Sequence, residues 1–132
     1  MTEPGVIEIE EYIPHPPSRV WAALTTPEGI ARWWAPGDVR PVVGHRFTLD
    51  MGTWGHQPCE VLEVEPERTL IYTFAPDTLG STLTWRLRPE GEGTRLTMIH
   101  AGFDLDTPMG RTAFEGMGRG WPGVVKKLAS VV

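Results

Sequence analysis

Two neighbouring stretches of this chain alternate so regularly that they restrict the fold before any other feature is considered. Between Ser81 and Arg88, Leu83, Trp85 and Leu87 alternate with Thr84, Arg86 and Arg88; between Thr94 and Ala101, Leu96, Met98 and His100 alternate with Arg95, Thr97 and Ile99. A period of two puts successive side chains on opposite faces of a strand, so each segment predicts a strand with one covered and one wet face. The intervening Pro89-Glu90-Gly91-Glu92-Gly93 reads as a five-residue turn of the length that joins antiparallel neighbours. A hairpin of this kind needs a second layer on its apolar face, which the rest of the chain must supply.

Three more short alternating segments precede the hairpin, Arg46 to Met51, Pro58 to Glu65 and Thr69 to Phe74, separated by turn residues. An earlier strand runs from Val6 to Ile13, with Ile7, Ile9, Glu11 and Ile13 on the inward parity, and stops at Pro14, Pro16 and Pro17. Pro17 opens a short helix carrying Val20, Trp21 and Leu24, and Thr26-Pro27-Glu28 caps a second that carries Ile30, Trp33 and Trp34. After Thr107-Pro108 the apolar residues Phe114, Met117, Trp121, Val124, Val125, Leu128 and Val132 recur every three or four positions, the period of one long helix. Pro122 lacks an amide donor and crowds the Gly118 carbonyl, which predicts a kink; Gly116, Gly118, Gly120 and Gly123 predict close approach of that helix to the sheet. The order implies an α+β fold, a curved antiparallel sheet around a long C-terminal helix with two short helices after strand 1. At 132 residues, with no linker and no internal repeat, residues 1–132 form a single domain in this reading.

The same patterns exclude several functions. A net charge of −5, with no run of Lys and Arg interleaved with aromatics, argues against nucleic acid. No apolar run approaches the ~20 residues of a membrane span, and the acidic N-terminal segment lacks the basic flank and apolar core of a signal peptide. With a single cysteine, Cys59, the expected location is cytoplasmic. Gly118 to Gly123 formally matches GxGxxG but follows no strand, and no serine lies in a GxSxG elbow. His56 and Cys59 lack a second pair of ligands, so they read as a loop histidine and a half-buried thiol; neither a metal nor a cofactor is implied.

The residues assigned to the interior are large and polarizable. Phe47, Met51, Tyr72, Phe74, Leu83, Trp85, Met98, His100, Phe114, Met117 and Trp121 are the candidate ligand-binding residues. By periodicity alone they are ordinary core, and become a pocket lining only where sheet and helix stand apart. His100 is the one ionisable side chain of clear inward parity. It reads either as a core histidine bonded to a backbone carbonyl or tyrosine, or as a ligand-contacting or proton-transfer group.

The segments Pro16 to Glu28, Trp33-Trp34, Val61 to Pro66 with Leu70 to Phe74, Gly93 to Thr97, His100 to Phe103, and Gly120-Trp121, in this order, resemble the family named for activators of the 90-kDa heat-shock protein ATPase. That family belongs to the START-like (SRPBCC), birch-pollen-allergen-like superfamily. The resemblance implies a helix-grip fold whose apolar cavity binds lipids, sterols, polyketides or similar molecules. The family is named for a eukaryotic cochaperone with a further N-terminal domain, and this chain resembles only the C-terminal one. Three functions follow as expectations. A carrier or sensor of a small hydrophobic molecule leads. A cyclase or dehydratase would need His100 and Tyr72 as acid and base. A cochaperone would need an exposed surface for its chaperone, with Trp33, Trp34 and the acidic first strand as candidates. The sequence leaves the oligomeric state open.

Overall fold

A computed structural model describes residues 5–132; the first four residues of the acidic N-terminal segment lie outside the described part. The elements run β1 (Ile7–Ile13), α1 (Pro17–Thr25), α2 (Pro27–Trp33), β2 (Arg46–Asp50), β3 (His56–Glu65), β4 (Thr69–Phe74), β5 (Ser81–Glu90), β6 (Gly93–Ala101) and α3 (Pro108–Val131), with a single 3₁₀ turn at Gly52–Trp54. The strands form one antiparallel sheet in the order β1-β6-β5-β4-β3-β2. Strands β2 to β6 are a meander, while β1 returns to the far edge beside β6; α1, α2 and the segment after them carry the chain from one edge to the other. This is the helix-grip arrangement, and none of the described helices is long and apolar enough to cross a membrane.

Local chemistry accounts for the element ends. The Thr26 and Thr107 hydroxyls accept from the Gly29 and Gly110 amides at 3.0 Å each, so both prolines sit at first-turn positions where no amide donor is needed. The β5–β6 turn is shorter than the sequence suggests: Glu90 pairs with Gly93, leaving Gly91 and Glu92 as the connection, because Gly91 adopts φ 59°. Pro89 is tolerated inside β5 because of where its missing donor would point. The Leu87 amide bonds the Arg68 carbonyl on the β4 side, and Pro89, two residues on, faces the same side beyond the start of β4. Helix α3 is continuous through Pro122, which lies on its exposed side, where water can meet the carbonyl freed by the proline.

Two expectations about packing fail. A Cβ at Gly116, Gly120 or Gly123 would meet nothing within 4 Å, and one at Gly118 only the end of Ile7 at 3.9 Å. The close approach is instead at Gly110, where a Cβ would run into the Asp104 carbonyl, so the glycine is required by the loop that starts the helix. Cys59 is buried, not half-buried, and His56 opens β3 as an exposed strand residue.

Strand register aligns the interior in transverse rows. Ile7, His100, Leu83, Tyr72 and Val61 form one row across five strands; Ile9, Met98, Trp85, Leu70 and Val64 form the next. Helix α3 buries Trp121, Val125 and Leu128, with Trp121 against Trp85 and His100 of these rows, and their burial contributes to the hydrophobic term that holds the two layers together.

Candidate functional site

The structure brings most of the expected residues together. Phe47, Tyr72, Phe74, Leu83, Trp85, Met98, His100 and Trp121 are buried, while Met51, Phe114 and Met117 are half-buried at the margin of the core. The rings fall in two contacting groups, one around Phe47 and Tyr72 and a larger one around Trp85, Trp121 and His100, joined by the Trp85–Tyr72 hydrogen bond. Phe47 meets Tyr72 edge-on with centroids 5.3 Å apart, and Trp121 lies 5.8 Å from Trp85 and 5.9 Å from His100. Phe103 tilts against His100 at 4.5 Å and meets Phe114 at 5.6 Å. These separations lie in the range in which the ring quadrupoles favour edge-to-face and offset contacts.

The polar atoms of this interior are paired with one another. The Trp121 indole N–H donates to His100 Nδ1 at 3.1 Å, which fixes the proton of the neutral ring on Nε2. His100 Nε2 then donates to Ser81 Oγ at 2.9 Å, and the Ser81 hydroxyl donates to the Phe74 carbonyl at 2.7 Å. One chain of hydrogen bonds thus ties α3 to β6, β5 and β4. Separately, Trp85 Nε1 donates to the Tyr72 hydroxyl at 3.1 Å. Among the described residues no buried side-chain polar atom lacks a partner.

This arrangement answers the acid–base reading. Burial pulls His100 down to about 3, so at neutral pH the ring is uncharged, and with its Nδ1 lone pair taken by Trp121 and its Nε2–H by Ser81 neither nitrogen is free for proton transfer. Burial raises the Tyr72 phenol well above its ordinary value, and among the described residues no Asp or Glu is buried with it to complete an acid–base pair. His100 is a core histidine, with Trp121 and Ser81 as partners in place of the expected carbonyl or tyrosine. Among the described residues no group of three His, Cys, Asp or Glu side chains could hold a metal.

Sequence reasoning missed Ser81, Phe103 and the two adjacent tryptophans of α2 and its C-cap. Ser81 shares the parity of Leu83 and Trp85, which was sufficient signal to turn it inward. Trp33 and Trp34, candidates for the exposed surface that a cochaperone would need, are part of the interior. Trp33 is buried, its indole N–H donating to the Ala23 carbonyl at 2.9 Å, and its ring meets Trp85 at 5.4 Å. Trp34 is half-buried between Phe74 at 5.8 Å and Trp121 at 4.9 Å. A surface cleft of about 530 Å³ borders this cluster at Phe47, beside Cys59, Thr73 and Pro76, and another of about 370 Å³ lies on the outer face of the sheet.

Comparison with known proteins places this geometry in a family. Protein MLL2253 from Mesorhizobium loti is 38% identical, with 95% of this chain and 94% of that one covered and a TM-score of 0.83. The solution structure of Bacillus halodurans protein BH1534 is 31% identical over 100% of this chain and 99% of that one, also with a TM-score of 0.83. CalU16 from Micromonospora echinospora is 29% identical over 95% of this chain and 74% of its own, with a TM-score of 0.76. No curated protein matches the chain. Residues 14–132 match the family described as activator of Hsp90 ATPase homolog 1-like protein, and the chain belongs to that family.

Proposed function

We propose that this protein binds a small hydrophobic molecule between the sheet and α3, as a carrier or sensor. The observation that carries the reading is an aromatic interior whose polar atoms already satisfy one another. A ligand buried there would find ring faces and thioethers but no spare donor or acceptor. Each unpaired polar group it brought in would cost about 1–3 kcal/mol, so the site selects apolar and aromatic molecules.

Access is from one end of the sheet. Met51 follows β2, Leu79 lies between β4 and β5, and Leu105 lies between β6 and α3; all three connections are at that end, and all three residues are half-buried. Phe114 and Met117, in the first half of α3, continue the same half-buried apolar rim. Trp34, half-buried between Phe74 and Trp121, takes no part in the hydrogen bonds of the His100 chain, so its displacement would open the cluster without breaking that chain. Membership of the family supports a ligand-binding use of the fold.

The test begins with native mass spectrometry of protein purified from its own host, where a retained small molecule is expected. Titration with fatty acids, sterols and aromatic polyketides, followed by tryptophan emission, should then saturate for at least one class and weaken for Met117→Trp. An empty protein together with no saturable binding across that panel overturns the reading.

A further inference from the structure

The outer face of the sheet is not uniformly polar. Its centre carries Ile71, Thr84 and Ile99 side by side, whereas arginines gather toward the β5–β6 turn. Arg86 and Arg88 project from β5 and Arg95 from β6, and Arg68 precedes β4, its carbonyl bonded to the Leu87 amide at 2.8 Å. All four line the cleft of about 370 Å³. Adjacent strands are about 4.8 Å apart and alternate residues about 6.7 Å apart, so the roots of these side chains fall within roughly 10 Å of one another. One third of the chain's twelve Lys and Arg residues are thus concentrated at one place in a protein of net charge −5.

This concentration opposes folding stability. Arg88 and Arg95 are direct cross-strand partners, a placement in which like charges repel. Glu90 relieves part of it by taking Arg95 in a fork, at 2.7 and 3.4 Å, and standing 4.0 Å from Arg88. Among the described residues, Arg68 and Arg86 have no carboxylate within 4.0 Å. The two carboxylates that line the cleft lie at its flanks: Glu10 on β1, which the Thr97 hydroxyl approaches at 3.5 Å, and Glu65 at the end of β3 opposite Thr69. The centre therefore holds a surplus of guanidinium groups with threonine hydroxyls beside them.

We infer that this cleft binds a small, multiply charged phosphoryl anion. Arg68, Arg86 and Arg88 supply forked donors that match phosphoryl oxygens two at a time, Thr69 and Thr97 supply hydroxyls, and Arg95 is held in place by Glu90. A singly charged ion would leave most of the repulsion in place, whereas two or more negative charges within a few ångströms offset it. The site is independent of the apolar interior, on the other face of the sheet.

Inorganic triphosphate is the probe, titrated by calorimetry and by thermal melting against sodium chloride of equal ionic strength. Saturable one-to-one binding that raises the melting temperature is expected, with Arg68→Gln and Arg86→Gln each weakening it by roughly tenfold, the loss of one charge-assisted contact. Without the anion, Arg68→Gln and Arg86→Gln should melt near the wild-type temperature, since both side chains are exposed and, among the described residues, neither has a carboxylate partner to lose, so failure to fold does not confuse the result. A nucleoside triphosphate in a parallel titration distinguishes sources: equal affinity assigns the site to the phosphoryl chain alone, and tighter binding to an attached organic group as well. No saturable binding beyond the chloride control, or undiminished binding in both Arg68→Gln and Arg86→Gln, overturns the inference.

Discussion

Acidification should unfold this protein through His100, by an amount that follows from its burial. The ring is fully enclosed, neutral in the Trp121–His100–Ser81 chain, and has its proton affinity lowered to about 3, against an ordinary value of 6.5. Between those two values the unfolded chain takes up a proton at this site and the folded chain does not. Stability is therefore full above pH 6.5 and falls as pH decreases, by up to about 1.4 kcal/mol per pH unit, until the folded ring itself titrates near pH 3. From pH 7 to pH 4.5 the loss from this group alone is about 2.5 kcal/mol, a large part of the ~5–15 kcal/mol typical of a domain. The assay must isolate His100 from the rest of the chain. Urea unfolding followed by circular dichroism, at half-unit pH steps, should be run on the wild type and on His100→Gln. The glutamine oxygen can accept from Trp121 and its amide can donate to Ser81, so the variant retains the connection without the titration. At pH 7 it should be less stable by about 1–3 kcal/mol, owing to imperfect geometry in a buried network. By pH 4.5 the two proteins should converge. Stability curves that stay parallel across that range would refute the assignment of a buried neutral ring.

Two further outcomes follow from local geometry. Gly110→Ala sets a methyl group against the Asp104 carbonyl and should cost about 2 kcal/mol or more, whereas Gly116→Ala adds one in open space within a helix and should stabilise by about 0.5–1 kcal/mol; thermal melts of the pair give opposite signs, and equal shifts would count against the packing of α3. Burial raises the Cys59 thiol to about 12, so iodoacetamide at pH 8 should modify the native protein far more slowly than the urea-unfolded chain, and comparable rates by mass spectrometry would show the thiol to be accessible.

Most of the fold was legible in the sequence because strand parity and helix caps are local. Ile7, Tyr72, Trp85 and Met98 face inward as alternation requires, and Thr26 and Thr107 cap the helices that their prolines announce. What escaped depends on distances between elements. No periodicity says that the Trp121 indole reaches His100, or that a serine outside any nucleophile motif completes that chain. The burial of Trp33 and Trp34 is not legible in the sequence because α2 is too short for its own pattern to define a buried face; its position over Trp85 and Phe74 does so instead. The glycines of α3 show the same limit in reverse, since their spacing suggested contact with the sheet where the structure leaves open space.

The return of β1 to the edge beside β6 also governs when the sheet can close. Ile7 pairs with His100, 93 residues later in the chain. At about 5–20 residues per second of synthesis, β1 waits roughly 5–19 seconds for its only partner strand, a long-range closure of the kind that slows folding. Throughout that interval both of its edges are unpaired, and isoleucine-rich strands in that condition recruit other chains. Glu8, Glu10 and Glu11, interleaved with Ile7, Ile9 and Ile13, place charge on the waiting segment and repel like copies of itself until β6 emerges.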